Sequence, residues 1–266
     1  MYDGVTVLDF DHSYRWQAFL RDQSVEWIDL TDLSGAKRYC GEDTLARIRH
    51  RLRRRRRHGV TLIGSGNYHY VTYLLLAEIR KPFTLVLFDY HTDMMEPPDD
   101  NVITCGSWVL KALRELPMLR QVLVIGAREG AADMLFCDLH PHLKRRVFVF
   151  EPVTEENARR VLPAIISRLS THDVYISVDK DVLAPTEAIT DWEQGTMKLA
   201  DLMRLIRSIA GRRKLCGADI CGEYPVSPVE VYNRRHRLAV RRNARANQML
   251  LEAIRGVDRR SLPLSS

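Results

Sequence analysis

The stretch Thr84-Leu85-Val86-Leu87-Phe88-Asp89-Tyr90-His91-Thr92-Asp93 decides the fold. It begins as a continuous apolar run, the pattern of a strand buried on both faces of a parallel sheet. It ends in Asp89, His91 and Asp93, spaced two apart. On an extended backbone that spacing projects all three from one side of the strand's carboxyl end, where ligands bind in open α/β sheets. Two carboxylates and an imidazole gathered without counter-charge repel one another, and a divalent cation is the usual remedy.

A second stretch repeats the pattern. Asp173-Val174-Tyr175-Ile176-Ser177-Val178-Asp179-Lys180-Asp181 is again an apolar strand ending in acids two residues apart. Two strands delivering five ligand-type side chains to one sheet edge point to a metal site rather than to ordinary turn chemistry. Val60 to Tyr70 adds a third strand and a turn holding Gly64, Gly66 and Asn67, which places His69 at the same edge as a sixth candidate. Asp9, Asp11 and His12 form a weaker local group that a turn after an edge strand explains equally well.

The rest of the chain supplies the frame. Strands are expected over 5–10, 25–30, 121–127, 146–150 and 214–220, alternating with helices over 42–58, 71–79, 105–115, 130–137, 155–169 and 237–254. Met94 to Thr104 reads as an irregular loop over the sheet edge, of the kind that forms substrate walls. No repeat or linker divides the chain, so the expectation is an α/β fold, one three-layer domain over 1–266 with a mostly parallel sheet.

Composition bounds the function. The 266 residues are 45% hydrophobic and 28% charged, an ordinary globular balance. No apolar run is long enough to span a membrane, and no secretory leader is evident, so a cytoplasmic location is expected. Five cysteines without a C-x-x-C pair suit reduced thiols better than disulfides. The net charge of +6 comes largely from Arg53 to Arg57 and from a cluster over 234–242. No aromatic residues are interleaved with the first run, so it reads as a solvated face and nucleic acid is not an expected partner.

The motifs resemble those of the arginase/agmatinase (ureohydrolase) family and its arginase–deacetylase fold. Asp89-Tyr90-His91-Thr92-Asp93 is similar to the family's Asp-Ala-His-x-Asp, and Ser177 to Pro185 to its Ser-x-Asp-x-Asp-x-x-Asp-Pro. Gly64 to His69 stands where the family has Gly-Gly-Asp-His-Ser, with one residue more, and Ala184 replaces the aspartate before the proline. The resemblance implies two Mn²⁺ ions per chain, with Asp89 and Asp179 bridging, His69 and Asp93 completing one site, and His91 and Asp181 the other. It implies a metal-bound hydroxide attacking a guanidino or related carbon and expelling an amine from a small-molecule substrate. Asp93 and Cys105 become the candidate catalytic residues, Cys105 standing where the family often has a proton-shuttling histidine. Glu223 and Thr196 become candidate substrate contacts. Two other readings stay open: a deacetylase-like amidohydrolase using one Zn²⁺, and a basic binding protein with a vestigial centre. Oligomeric state is left open, a homo-oligomer included.

Overall fold

The apolar runs become the strands of one parallel sheet. The computed structural model describes residues 4–21, 24–154, 156–225, 229 and 233–258. Its strands are β1 (Val5–Asp9), β2 (Val25–Asp29), β3 (Tyr39–Gly41), β4 (Val60–Leu62), β5 (Phe83–Phe88), β6 (Val102–Thr104), β7 (Leu119–Ile125), β8 (Val147–Phe150), β9 (Asp173–Asp179) and β10 (Lys214–Cys221). Eight of them form the sheet in the order β2-β1-β4-β10-β9-β5-β7-β8, all neighbours parallel. The helices are α1 (Glu42–Leu52), α2 (Val71–Leu76), α3 (Trp108–Glu115), α4 (Ala131–Asp138), α5 (Pro141–Lys144), α6 (Ala158–Arg168), α7 (Leu199–Ala210) and α8 (Arg234–Asp258).

Strand alternation sorts the side chains into two cores. Leu85 and Leu87 face one core together with Ile48, Leu74 and Trp108, while Val86 and Phe88 face the other with Ile165, Ile206 and Leu250. α1 to α3 thus cover one face and α6 to α8 the other, the three-layer arrangement that a sheet apolar on both sides requires. Among the described residues no helix is long and apolar enough to cross a membrane.

Three expectations need correction. The helix expected through His58 ends at Leu52. Glu26 accepts hydrogen bonds from the backbone N–H groups of Arg56 and Arg57 at 2.9 and 2.8 Å, which draws that segment out of helical geometry. Arg55 is not part of a free basic face either, because it pairs with Glu78 at 2.5 Å. The segment 94–104 is not wholly irregular: β6 pairs antiparallel with β3, Cys40 opposite Ile103. α7 was not foreseen, although Leu202, Leu205, Ile206 and Ile209 recur at helical spacing and are buried.

A buried polar network fastens α8 to the sheet. Lys180, in the turn after β9, donates to Glu223 and, at 2.9 Å, to Asn247 Oδ1. Glu223 also accepts from Gln17 Nε2 at 2.9 Å, Asn247 Nδ2 at 2.7 Å and Asn243 Nδ2 at 3.2 Å. Asn243 and Asn247 lie one turn apart on α8 and so present their amides to the same carboxylate. Removing the ammonium alone strands a buried charge. Lys180→Met is expected to cost about 3 kcal/mol in urea unfolding, with Lys180→Met/Glu223→Gln recovering part of it. A single variant as stable as the parent would show that the pair carries no such strain.

Candidate metal centre

Register brings the acids together. Phe88 of β5 lies opposite Val178 of β9, so the chain's next step sets Asp89 beside Asp179. Cys221 of β10 lies opposite Asp179 on its other side. His69 arrives from the 3-10 turn Gly66–Tyr68 that follows β4, on the strand flanking β10.

Local turns, rather than strand alternation, aim the side chains. β5 stops at Phe88, and Asp89 Oδ1 accepts from the backbone N–H of His91 at 2.6 Å. Asp179 Oδ1 accepts in the same way from the N–H of Asp181 at 3.0 Å. Each is an aspartate bonding its own backbone two residues on, which is why both strands end in acids at this spacing. The expectation that Asp89, His91 and Asp93 project from one extended strand is therefore corrected. Asp93 lies beyond the turn in left-handed backbone (φ 51°), with its carbonyl accepting from Val109 N and its Oδ2 from Trp108 Nε1 at 2.6 Å.

All six expected metal ligands meet. His69 Nδ1 lies 3.4 Å from Asp89 Oδ2, 3.1 Å from Asp93 Oδ2 and 3.6 Å from Asp179 Oδ2. His91 Nδ1 lies 2.9 Å from Asp181 Oδ2 and 3.5 Å from Asp89 Oδ1. The donor atoms group as His69, Asp89 and Asp93 on one side and Asp89, His91 and Asp181 on the other, each set within 4.8 Å. Asp89 belongs to both. A third set joins His69, Asp179 and Cys221. Sequence reasoning missed Cys221; the signal was its strand position, level with Asp179. Its thiol donates to Asp179 Oδ2 at 3.1 Å, and burial pushes its pKa well up, which favours a protonated donor over a thiolate.

The orientation of His69 tests whether a cation fits. Ser177 Oγ donates to Asp219 Oδ1 at 2.7 Å and therefore accepts from His69 Nε2 at 2.9 Å. Tyr175 holds the other oxygen of Asp219 at 2.8 Å. With Nε2 bonded to Ser177, Nδ1 is the ring atom aimed at the three carboxylates. Burial opposes charge on the ring, yet its anionic surroundings, Asp89 and Asp93 among them, raise its pKa well up, so without an ion Nδ1 also carries a proton. A divalent cation would take the place of that proton among the same carboxylates. Gly222 leaves room around the same carboxylate: a Cβ there would lie 2.4 Å from Asp179 Oδ1. The residues present fit a pair of divalent ions.

Without such ions, protons supply the counter-charge. Burial works against the charged form of Asp89, but hydrogen bonds from His69 and His91 outweigh it and bring the carboxyl down to about 2. Burial and the neighbouring Asp89 raise Asp93 to about 6. Burial opposes charge on His91 as well, yet Asp181 and Asp89 hold its pKa up at about 11. Burial and the neighbouring Asp89 raise Asp179, and burial with Asp179 and Asp89 raises Asp181.

The cluster floors a cavity of about 960 Å³. β3 and β6 bring Arg38, Tyr39, Thr104 and Cys105 to its wall, and α4 brings Met134 and Leu135. Burial pushes the Cys105 thiol up to about 12, so it keeps its proton at neutral pH. Glu223 and Thr196 are not part of the lining. Glu223 is spent on Lys180 and the α8 amides, and Thr196 is exposed elsewhere, while its neighbour Gly195 braces the Asp181 turn through a 2.7 Å bond to the Asp181 carbonyl. Asp9 lies apart as well, paired with Arg15 at 2.7 Å and with His12 at 3.3 Å.

Comparison with known proteins agrees with this geometry. The sequence pattern of the arginase family matches residues 6–240. An uncharacterized protein of Thermotoga maritima is 35% identical over 219 residues, 82% of this chain and 79% of that one. Among solved structures, the agmatine ureohydrolase of Thermoplasma volcanium aligns over 97% of this chain and 92% of its own, with a TM-score of 0.66 and 16% identity. The proclavaminate amidino hydrolase of Streptomyces clavuligerus aligns over 96% and 92%, with a TM-score of 0.64 and 18% identity. At such identities these two speak for the fold. The chain belongs to the arginase family, hydrolases that act on carbon–nitrogen bonds other than peptide bonds.

Proposed function

We propose that this single arginase-like domain is a manganese-dependent hydrolase of a C–N bond in a guanidino or related small molecule. The observation that carries the reading is the pair of ligand sets sharing Asp89 on the floor of a cavity. His69, Asp93, Asp89 and Asp179 would hold one ion, and Asp89, Asp179, His91 and Asp181 the other. A donor set rich in carboxylate oxygen, with two imidazoles and a protonated thiol, suits Mn²⁺. When bound, such a pair supplies a water acidic enough to yield hydroxide near neutral pH. The guanidino and amidino compounds named for the similar structures are of the class this chemistry cleaves.

The chain's own residues orient and exchange protons. Trp108 and the N-terminal turn of α3 clamp Asp93, the carboxylate assigned to proton transfer on the floor. Ser177 and Asp219 hold the His69 ring so that Nδ1 faces inward. Cys105 stands on the wall with its proton in place, a weak donor to a departing amine rather than a base.

Asp89 reaches both sets, so Asp89→Asn is expected to lose both ions on metal analysis and to reduce hydrolysis at least about a hundredfold; Asp179→Asn should act likewise. Two bound ions and full turnover in either variant would remove the mechanism.

Metal uptake carries a pH signature. The metal-free His91 holds a proton below about 11 and Asp93 below about 6, and both must release it to become ligands. Protons therefore compete with the ions, and affinity should rise as the pH rises from 5 to 8, with protons released on Mn²⁺ addition in weak buffer. Flat affinity over that range contradicts the ligand assignment.

Cys105→Ser preserves a weak donor and Cys105→Ala removes it. If the thiol passes its proton to the leaving amine, the serine variant should retain most of kcat and the alanine variant should lose about tenfold or more. Equal rates in both would make Cys105 a wall residue only.

A further inference from the structure

The cavity wall carries a cation that the chemistry of the floor does not use. Arg38, just before β3, has left-handed backbone (φ 67°), a conformation that non-glycine residues seldom adopt and that needs outside support. That support is present on every side. Its N–H donates to the Asn67 carbonyl at 3.0 Å, and its carbonyl accepts from Cys105 N at 3.1 Å. Its Nε donates to Asn67 Oδ1 at 2.9 Å, and the guanidinium lies 4.9 Å above the Trp192 ring. Asn67 in turn is held by Ser65 and Asp191, each at 2.7 Å. Left-handed backbone, an amide clamp and an aromatic shelf together fix where the exposed guanidinium sits on the cavity wall.

Among the described residues no carboxylate pairs with Arg38, whereas Arg114, another arginine of the cavity lining, binds Glu96. Trp192, on which Arg38 rests, is itself 5.8 Å from the His91 ring. The two spacings, 4.9 and 5.8 Å, keep the cation within about 11 Å of that ring. This is the reach of a short, compact molecule whose other end lies at Asp89. The lining of the same cavity includes the apolar Met94, Met95 and Leu110.

Most of the acidic side is already engaged. Glu223 is neutralised by Lys180 outside the cavity, Glu96 is taken by Arg114, and the floor carboxylates face the ligand sets. Asp138, exposed on α4, is the remaining lining acid, and Arg128, also in the lining, donates to Met134 Sδ at 3.4 Å.

We propose that Arg38 is a specificity residue: its fixed fork receives a carboxylate at the far end of the substrate, so the enzyme takes an anionic amidino-type acid rather than a compound with a cationic amine tail. A planar guanidinium meets a carboxylate through two parallel hydrogen bonds, a geometry that lysine does not reproduce. The inference deepens the hydrolase reading and rests on it for the orientation of the substrate, but it is tested by binding alone.

The experiment uses the Mn²⁺-loaded full chain and two probes that share a guanidino head and a four-methylene chain, 5-guanidinopentanoate and agmatine. Calorimetry gives affinity, and tryptophan fluorescence reports contact at the Arg38–Trp192 stack. The carboxylate probe should bind at least about tenfold more tightly and change the fluorescence. Arg38→Gln should erase that gap while leaving metal content unchanged, and Arg38→Lys should restore only part of it. Agmatine binding as tightly, no measurable binding of the carboxylate probe, or an intact preference in Arg38→Gln would each overturn the proposal. A preference that persists when neither probe is hydrolysed leaves the role of Arg38 standing and counts against the hydrolase reading. Absence of bound metal counts against that reading alone.

Discussion

Four buried carboxylates, Asp89, Asp93, Asp179 and Asp181, and two imidazoles share one small space, and the rest of the structure is arranged around that crowding. In a low-dielectric interior like charges repel strongly, and burying a charge without compensation is costly. The chain meets part of this cost itself. Backbone N–H groups of His91, Asp181 and Tyr90 donate to Asp89, Asp179 and Asp181, Trp108 donates to Asp93, and Cys221 to Asp179. What is left over is negative charge around Nδ1 of His69, balanced by a proton when no metal is bound, which is the place a divalent cation would take.

The sheet exists in the form this crowding needs. β5 and β9 lie side by side, β10 next to β9, and β4 next to β10, so the loops after four adjacent strands open onto one edge. Apolar helices on both faces hold those strands in register, and a shift of one residue would carry Asp179 away from Asp89. The small β3–β6 ribbon stands outside the sheet and supplies part of the cavity wall. It couples the wall to the floor, because Arg38 is bonded to Asn67 in the turn that carries His69, and to Cys105 beside the cavity.

Much of this was legible in the residues. Long apolar runs ending in acids gave the central strands, and the repetition of that pattern at β5 and β9 named Asp89, His91, Asp179 and Asp181. The physical route was misread: extended strands do not aim these side chains, and the aspartate turns do. Glu223 illustrates a limit of a different kind. An acid after a strand at the ligand-binding edge looks available from sequence, but its fate depends on Lys180, Asn243 and Asn247, which lie 20 to 43 positions away in the chain. Cys221 and Arg38 were invisible for the same reason, since their meaning lies in cross-strand register and in a stack on Trp192. The early end of α1 depends on a carboxylate from β2 that no local pattern reveals.

Anomalous diffraction from crystals grown with Mn²⁺ examines the central claim most directly. The account predicts two peaks about 3.5–4 Å apart, with Asp89 touching both and His69 and His91 on opposite sides. A single peak, or ions seated away from Asp89, would contradict it.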